Sequence, residues 1–176
     1  VTPAFRLEVL GPEHNRADFA SGEPALDRYL ATQATQDVRR RIANCFVAVE
    51  TATSILAGFY TLSAASLPLA EIPEDLAKRL PRYPTVPAVR IGRLATDLRF
   101  RGRGIGAGLL ADAFRRCMTA PPAVFTLLVD AKNDAAAAFY QHHGFRPLAD
   151  APRTLFLPLA TAEKTLTKPG TSPSTS

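Results

Sequence analysis

Arg101-Gly102-Arg103-Gly104-Ile105-Gly106 stands between a strand-like run at 89–97 and a helix-like run at 106–118. Glycines at this spacing let backbone N–H groups approach an anion, and the helix that follows adds roughly half a positive charge at its N-terminus. The segment reads as a cradle for pyrophosphate. Phosphate loops of NTPases continue with Lys-Ser or Lys-Thr to hold nucleotide and magnesium, whereas this one continues Ala107-Gly108-Leu109, which argues against an NTPase. Gly102-x-Gly104-x-x-Ala107 also fits a dinucleotide fingerprint, but loosely, because Asp130 at the end of the next strand-like run lies beyond the expected ~20 residues.

Downstream of the loop, Leu109, Leu110, Ala113, Phe114 and Cys117 recur at helical spacing, with Asp112, Arg115 and Arg116 opposite. The apolar run 124–129 predicts a strand covered on both faces. Asn133 or Asp134 then caps a helix over 135–143 that stops at Gly144, and strands at 145–148 and 154–157 follow. Upstream, 5–10 reads as a strand, and Ser21 begins a helix signal with Glu23 and Pro24 in its first turn and Leu26, Tyr29 and Leu30 on one side. A polar helical stretch covers 33–41. Strands at 44–49 and 55–63 pair as a hairpin, 73–80 is a short helix stopped by Pro81, and the proline-rich 81–87 leads to the strand before the loop. Beyond Ala162 the composition predicts a disordered tail at 163–176, leaving one domain over 1–162.

With 176 residues and 47% apolar content, the chain can bury one core. It has no apolar run near ~18 residues and no secretory layout at its start, so a cytoplasmic protein without membrane contact is expected. Cys45 and Cys117 have no paired spacing and are expected to be core thiols, with no metal site. The net charge of +5 is uneven: ten Lys or Arg against Asp97 and Asp112 between Lys78 and Arg116 give +8, leaving −3 elsewhere. Arg39-Arg40-Arg41 forms a second cluster far from the loop. A triphosphorylated cofactor or a solvated basic face accounts for part of this charge, and the two arginine-rich patches leave room for a second polyanion, for which nucleic acid is the common case.

The succession of strand, Arg-x-x-Gly-x-Gly at Arg101, Gly104 and Gly106, helix, strand, Asn133, a helix containing Phe139-Tyr140, and Gly144-Phe145 resembles the GNAT N-acetyltransferases over 89–148. The resemblance implies an α/β (α+β) GNAT fold: a mixed sheet of six to seven strands flanked by helices and splayed between the strands on either side of the loop helix. It implies acetyl-CoA as co-substrate. Arg101, Gly102, Arg103, Gly104, Ile105, Gly106 and Ala107 would hold the pyrophosphate. Backbone groups near Leu94, Ala95 and Thr96 would hold the acyl carbonyl and pantetheine arm, Asn133 would touch the arm, and Tyr140 would lie by the sulfur.

Acyl transfer needs a neutral amine, donors for the oxyanion and a proton for the departing thiolate. Tyr140 suits the last step. Glu50, Glu71 and Asp97 are bases by residue type only, and His14, His142 and His143 have no partner at a telling spacing. A missing base points to an amine already partly neutral, such as an α-amino group with pKa about 8, rather than a lysine near 10.4. The segment 19–30, the polar helix ending in Arg39-Arg40-Arg41, and Gly92-Arg93-Leu94-Ala95-Thr96-Asp97 resemble the tRNA-acetylating toxins of type II toxin-antitoxin modules. That implies aminoacyl-tRNA as acceptor, with phosphates held by Arg39, Arg40, Arg41, Arg90 and Arg93, a small ribbon-helix-helix antitoxin, and a homodimer. The competing readings are a housekeeping acetyltransferase for a small amine or protein N-terminus, and a non-catalytic CoA- or nucleic-acid-binding module.

Overall fold

A computed structural model describes residues 2–166. Among them, β1 (Phe5–Val9), β2 (Asn44–Glu50), β3 (Leu56–Pro68), β4 (Thr85–Thr96), β5 (Thr126–Asp130), β6 (Arg146–Pro147) and β7 (Thr154–Pro158) form one sheet in the order β1-β2-β3-β4-β5-β7-β6. Every neighbouring pair is antiparallel except β4 with β5. The helices are α1 (Pro24–Thr32), α2 (Ala34–Arg39), α3 (Glu74–Ala77), α4 (Ile105–Thr119), α5 (Asp134–His142) and α6 (Leu159–Leu166). This is the mixed, helix-flanked sheet of six to seven strands that the resemblance implies.

Period-two alternation divides the sheet into two faces. Phe46 and Ala48 of β2, Tyr60 of β3, and Leu127 and Val129 of β5 share a core with Leu109, Ala113 and Phe114 of α4 and Tyr140 of α5. Cys45, Val47 and Val49 of β2 and Phe59 of β3 face the other way, onto Tyr29 and Leu30 of α1 and Ala34 of α2. At the far end of that second face, Leu128 and Phe156 pack with Leu67, Ile72 and Val86. Cys45 and Cys117 are buried, free thiols, as expected for core positions.

The long strands exceed their sequence signal. β3 runs on through Ala64, Ala65 and Ser66, and β4 starts at Thr85, because each completes the other's ladder over Leu62–Pro68. Pro87, which cannot donate to a ladder, is tolerated because β5 joins β4 only from Ala88 onward. α6 also departs from expectation: it extends to Leu166 over four positions assigned to the tail, with Leu159 and Ala162 buried on the α4 face. The remainder of that tail, 167–176, lies outside the described residues.

The feature that positions the site lies in the second half of β4. β5 pairs with it only at Ala88–Ile91, whereas β3 stays paired up to Thr96. Between Tyr60↔Leu94 and Leu62↔Ile91 the register shifts, so Thr61 opposes both Gly92 and Arg93. This is a β-bulge, which bends its strand and increases local twist. Thr61 Oγ1 accepts a hydrogen bond from Arg93 N (3.0 Å) and fixes the bulge. Ile91 and Leu94, three positions apart, consequently both pack on the α4 face. β4 is thereby turned away from β5, and the sheet splays.

Asp97 anchors the end of the splayed strand. It is fully buried and accepts from Ala20 N (3.0 Å), Arg99 N (2.9 Å) and the Arg99 guanidinium (2.8 and 2.9 Å), while Leu98 N donates to Ala20 O. The chain before α1 is thus bonded to the start of the glycine loop. Burial pushes the Asp97 pKa up, but Arg99 and the two N–H groups outweigh it, and the net direction is below the ordinary carboxylate value. Its stabilisation is therefore complete above pH ~4 and is lost as pH falls through the lower folded value. Asp97→Ala should lower stability by about 2–4 kcal/mol at pH 7 in urea titration, with the deficit shrinking below pH ~3. A loss under about 0.5 kcal/mol would show that the tether is dispensable.

Candidate functional site

The turn Arg101–Gly104 enters α4 through two left-handed residues, Gly102 (φ 74°) and Gly104 (φ 75°), the second being the N-cap. A side chain at either would be strained by that backbone, yet a Cβ there would meet nothing within 4 Å, so the space in front of the loop is open. No side chain caps the helix. Its first-turn N–H groups, at Ile105, Gly106 and Ala107, are left for an anion, aided by the dipole of a 15-residue helix. Gly106 is needed for a different reason: a Cβ would sit 3.1 Å from Phe139 Cζ, which seats α5 against the loop. Arg103 is drawn to Glu50 (3.3 Å) and lies over the rings of Phe5 and Phe100. Arg101 is exposed and has no ion pair among the described residues.

Where β4 leaves β5, a cleft opens. Arg93 and Leu94 line it from β4, Asp130 from β5, Lys132 from the following turn, Tyr140 from α5 and Leu26 from α1. A larger apolar hollow between α4 and α6 is lined by Ala107, Phe114, His143 and Leu157 of β7 but does not include Tyr140. Tyr140 is buried, edge-on to Phe139 (5.2 Å) and Phe145 (5.6 Å), and its hydroxyl has no hydrogen-bond partner among the described residues. Burial pushes its pKa up to about 12, so the hydroxyl stays protonated at neutral pH. Asn133, the N-cap of α5, spends its side-chain oxygen on Ala136 N (2.8 Å). Leu94, Ala95 and Thr96 lie on the stretch of β4 that β5 has left, and Ala95 turns its methyl group into the α1 core.

The carboxylates that are bases by type lie elsewhere. Asp97 is saturated by donors, Glu50 is tied to Thr53 and Arg103, and Glu71 sits in the turn after β3. His14 is held by Gly11 N and Glu8, His142 is exposed, and His143 packs on Phe139, with burial holding its pKa below the usual value. Sequence reasoning misses Asp130, Lys132 and Leu26 as cleft residues. Only the spatial parting of β4 from β5 unites them.

The five arginines expected to hold phosphates fall into three environments. Arg39, Arg40 and Arg41 are exposed at the end of α2 and have no ion pair among the described residues. Arg90 is ion-paired with Asp130, whose other oxygen accepts from Thr154 (2.9 Å), so charge at that point is already balanced. Arg93 lies in the cleft with its guanidinium over the Tyr29 ring, 3.5 Å from the centroid.

Comparison with known proteins agrees with this geometry. Residues 41–147 match the acetyltransferase (GNAT) domain model. The chain is 36% identical to a tRNA-acetylating toxin of Mycobacterium tuberculosis (strain ATCC 25618 / H37Rv) over 141 residues, covering 79% of this chain and 82% of the relative. It superposes on AtaT complexed with acetyl-methionyl-tRNAfMet with TM-score 0.82 and 28% identity, covering 93% of this chain and 99% of the other. A tyrosine-to-phenylalanine mutant of AtaT, bound to the C-terminus of the antitoxin AtaR and acetyl-CoA, gives TM-score 0.77 and 26% identity, covering 94% and 100%. Among the described residues no helix is long and apolar enough to cross a membrane.

Proposed function

The chain belongs to the GNAT acetyltransferase family, and on that premise we propose that it is a toxin that moves acetyl from acetyl-CoA to the α-amine of aminoacyl-tRNA, blocking translation. The observation that carries this reading is the Tyr140 cleft at the parting of β4 and β5, in a fold that also presents an uncapped glycine-loop helix on the α4 face and, at the end of α2, exposed arginines with no ion pair among the described residues. Similarity to a tRNA-acetylating toxin and to a structure holding acetylated aminoacyl-tRNA supports the acceptor, and the acetyl-CoA complex supports the donor.

In this reading Arg101 to Ala107 bind the pyrophosphate, and the open space at Gly102 and Gly104 is what that group fills. Backbone groups of Leu94–Thr96 hold the acyl arm and carbonyl, and Asn133 flanks the arm. The amine nitrogen bonds to the carbonyl carbon, the C–S bond breaks, and Tyr140 donates its proton to sulfur. A phenol pushed up to about 12 is a weak acid beside a free thiol near 8.5, roughly 5 kcal/mol uphill for a finished thiolate in water. Transfer during C–S cleavage meets the sulfur while it is still more basic than the finished thiolate. Arg39, Arg40 and Arg41 hold tRNA phosphates. The expected partners are a small ribbon-helix-helix antitoxin and a second copy of the chain; the AtaR-bound neighbour supports an antitoxin as partner.

Labelled acetyl presented to charged tRNA, uncharged tRNA, peptides and polyamines side by side should appear on charged tRNA, and Tyr140→Phe should cut that rate by roughly 10²- to 10⁴-fold without weakening acetyl-CoA binding. Labelled peptides or polyamines beside untouched charged tRNA would replace this reading with a housekeeping acetyltransferase. Changing Arg39, Arg40 and Arg41 to Ala should flatten the log–log salt dependence of tRNA affinity by about 0.7–0.9 for each phosphate no longer neutralised. An unchanged slope would remove them from the interface.

A further inference from the structure

We infer that the Arg93 guanidinium sets the protonation state of the acceptor amine, keeping it neutral near pH 7 in a cleft that offers no free base. This rests on the aminoacyl-tRNA reading above and assigns Arg93 a task other than gripping phosphate.

The charges around the cleft are mostly paired off. Asp130 is held by Arg90 and Thr154, and Lys132 is bonded to Glu23 (2.6 Å) at the head of α1. Tyr140 is a neutral phenol at working pH. Neither carboxylate is available to take a proton from the amine. Arg93 alone among the cleft's ionisable groups has a fixed charge and no carboxylate within ion-pair reach among the described residues.

Its position is rigid. The guanidinium rests on Tyr29, a buried ring (3% exposed) that stacks on Phe59 and donates its hydroxyl proton to Asp37 (2.9 Å). The Arg93 backbone N–H is fixed on Thr61. Behind the Tyr29 ring lies Asp37, and the other titratable group that Arg93 acts on there, the Cys45 thiol, is pushed up to about 12 by burial and stays neutral. This places the cation on the α1 face of the sheet, in a cleft whose lining it shares with Tyr140 of the α4 face.

An ammonium entering this cleft meets both desolvation and repulsion, and each favours its neutral form. For an α-amine with an ordinary pKa near 8, a lowering of about one unit makes the neutral form dominant at pH 7.5, whereas a lysine near 10.4 stays charged. After attack, the surplus proton on nitrogen passes to water, its release favoured by the same cation. Tyr140 supplies the proton for sulfur and recovers one from water.

The test is the pH dependence of single-turnover acetyl transfer to charged tRNA, from pH 5.5 to 8.5 at saturating acetyl-CoA, for the parent, Arg93→Met and Arg93→Lys. Methionine preserves an apolar stem on Tyr29 and removes the charge; Arg93→Gln serves in its place if the methionine variant does not fold. The neutral variant should move the midpoint up by about one unit, so that it is about tenfold slower below the midpoint and close to parental on the plateau. Arg93→Lys should restore the parental midpoint. A uniform slowing at every pH, or a lysine variant whose midpoint stays with the neutral one, would overturn the inference and leave Arg93 a binding residue. A parent that does not label charged tRNA at all would instead overturn the acceptor assignment on which the inference rests.

Discussion

β4 keeps its hydrogen bonds to β3 as far as Thr96 but loses β5 after Ile91, and the rest of the site depends on that parting. A parallel pair that stayed closed would bury the ends of both strands against each other. Here Thr61 faces two residues instead of one, the strand bends at Gly92 and Arg93, and a cleft forms where a ladder would otherwise continue. Asp97 then secures the free end by binding Ala20 and Arg99, so the glycine loop begins from a fixed point. A loop that must present N–H groups to an anion gains from a rigid base, because the reorganisation is completed during folding.

The two faces of the sheet divide the work. α4, with its uncapped N-terminus, and α5, with Tyr140, lie on one side; α1 and α2, with Tyr29 and the exposed Arg39, Arg40 and Arg41, lie on the other. Donor and acceptor can therefore approach from opposite faces and meet only in the cleft. This also explains why so few polar side chains are free there. Ion pairs such as Arg90 with Asp130 and Lys132 with Glu23 fix the rim without leaving a charge on the reacting groups.

The loop and the helix it opens are legible in the sequence because glycine positions report backbone conformation directly: Gly102, Gly104 and Gly144 all have positive φ. α5 is legible from Asn133 at one end and Gly144 at the other. β3 and the start of β4 read short because Ala64, Ala65 and Ser66 have little strand preference and Pro87 opposes it; their pairing is tertiary. α6 escapes a sequence reading because its stability comes from Leu159 and Ala162 packing on the α4 face, which a polar composition conceals. The cleft divides the same way. Tyr140 stands out by its place in a helix with a known stop, whereas Asp130, Lys132 and Leu26 come from separate elements and share no spacing. Asp97 reads by type as a surface, turn or structural carboxylate or as a base, and its burial among four donors decides for the structural anchor.

The central claim is that the left-handed glycine turn ahead of α4 is where acetyl-CoA is held, with the β4–β5 parting receiving its arm. Calorimetry with acetyl-CoA on the parent and on a folded Gly104→Glu variant tests it most directly. The variant places a carboxylate in the open space before the helix N-terminus, so the parent should bind and the variant should show no measurable heat. Equal affinity in both proteins would contradict the account, because the loop could not then be the phosphate site.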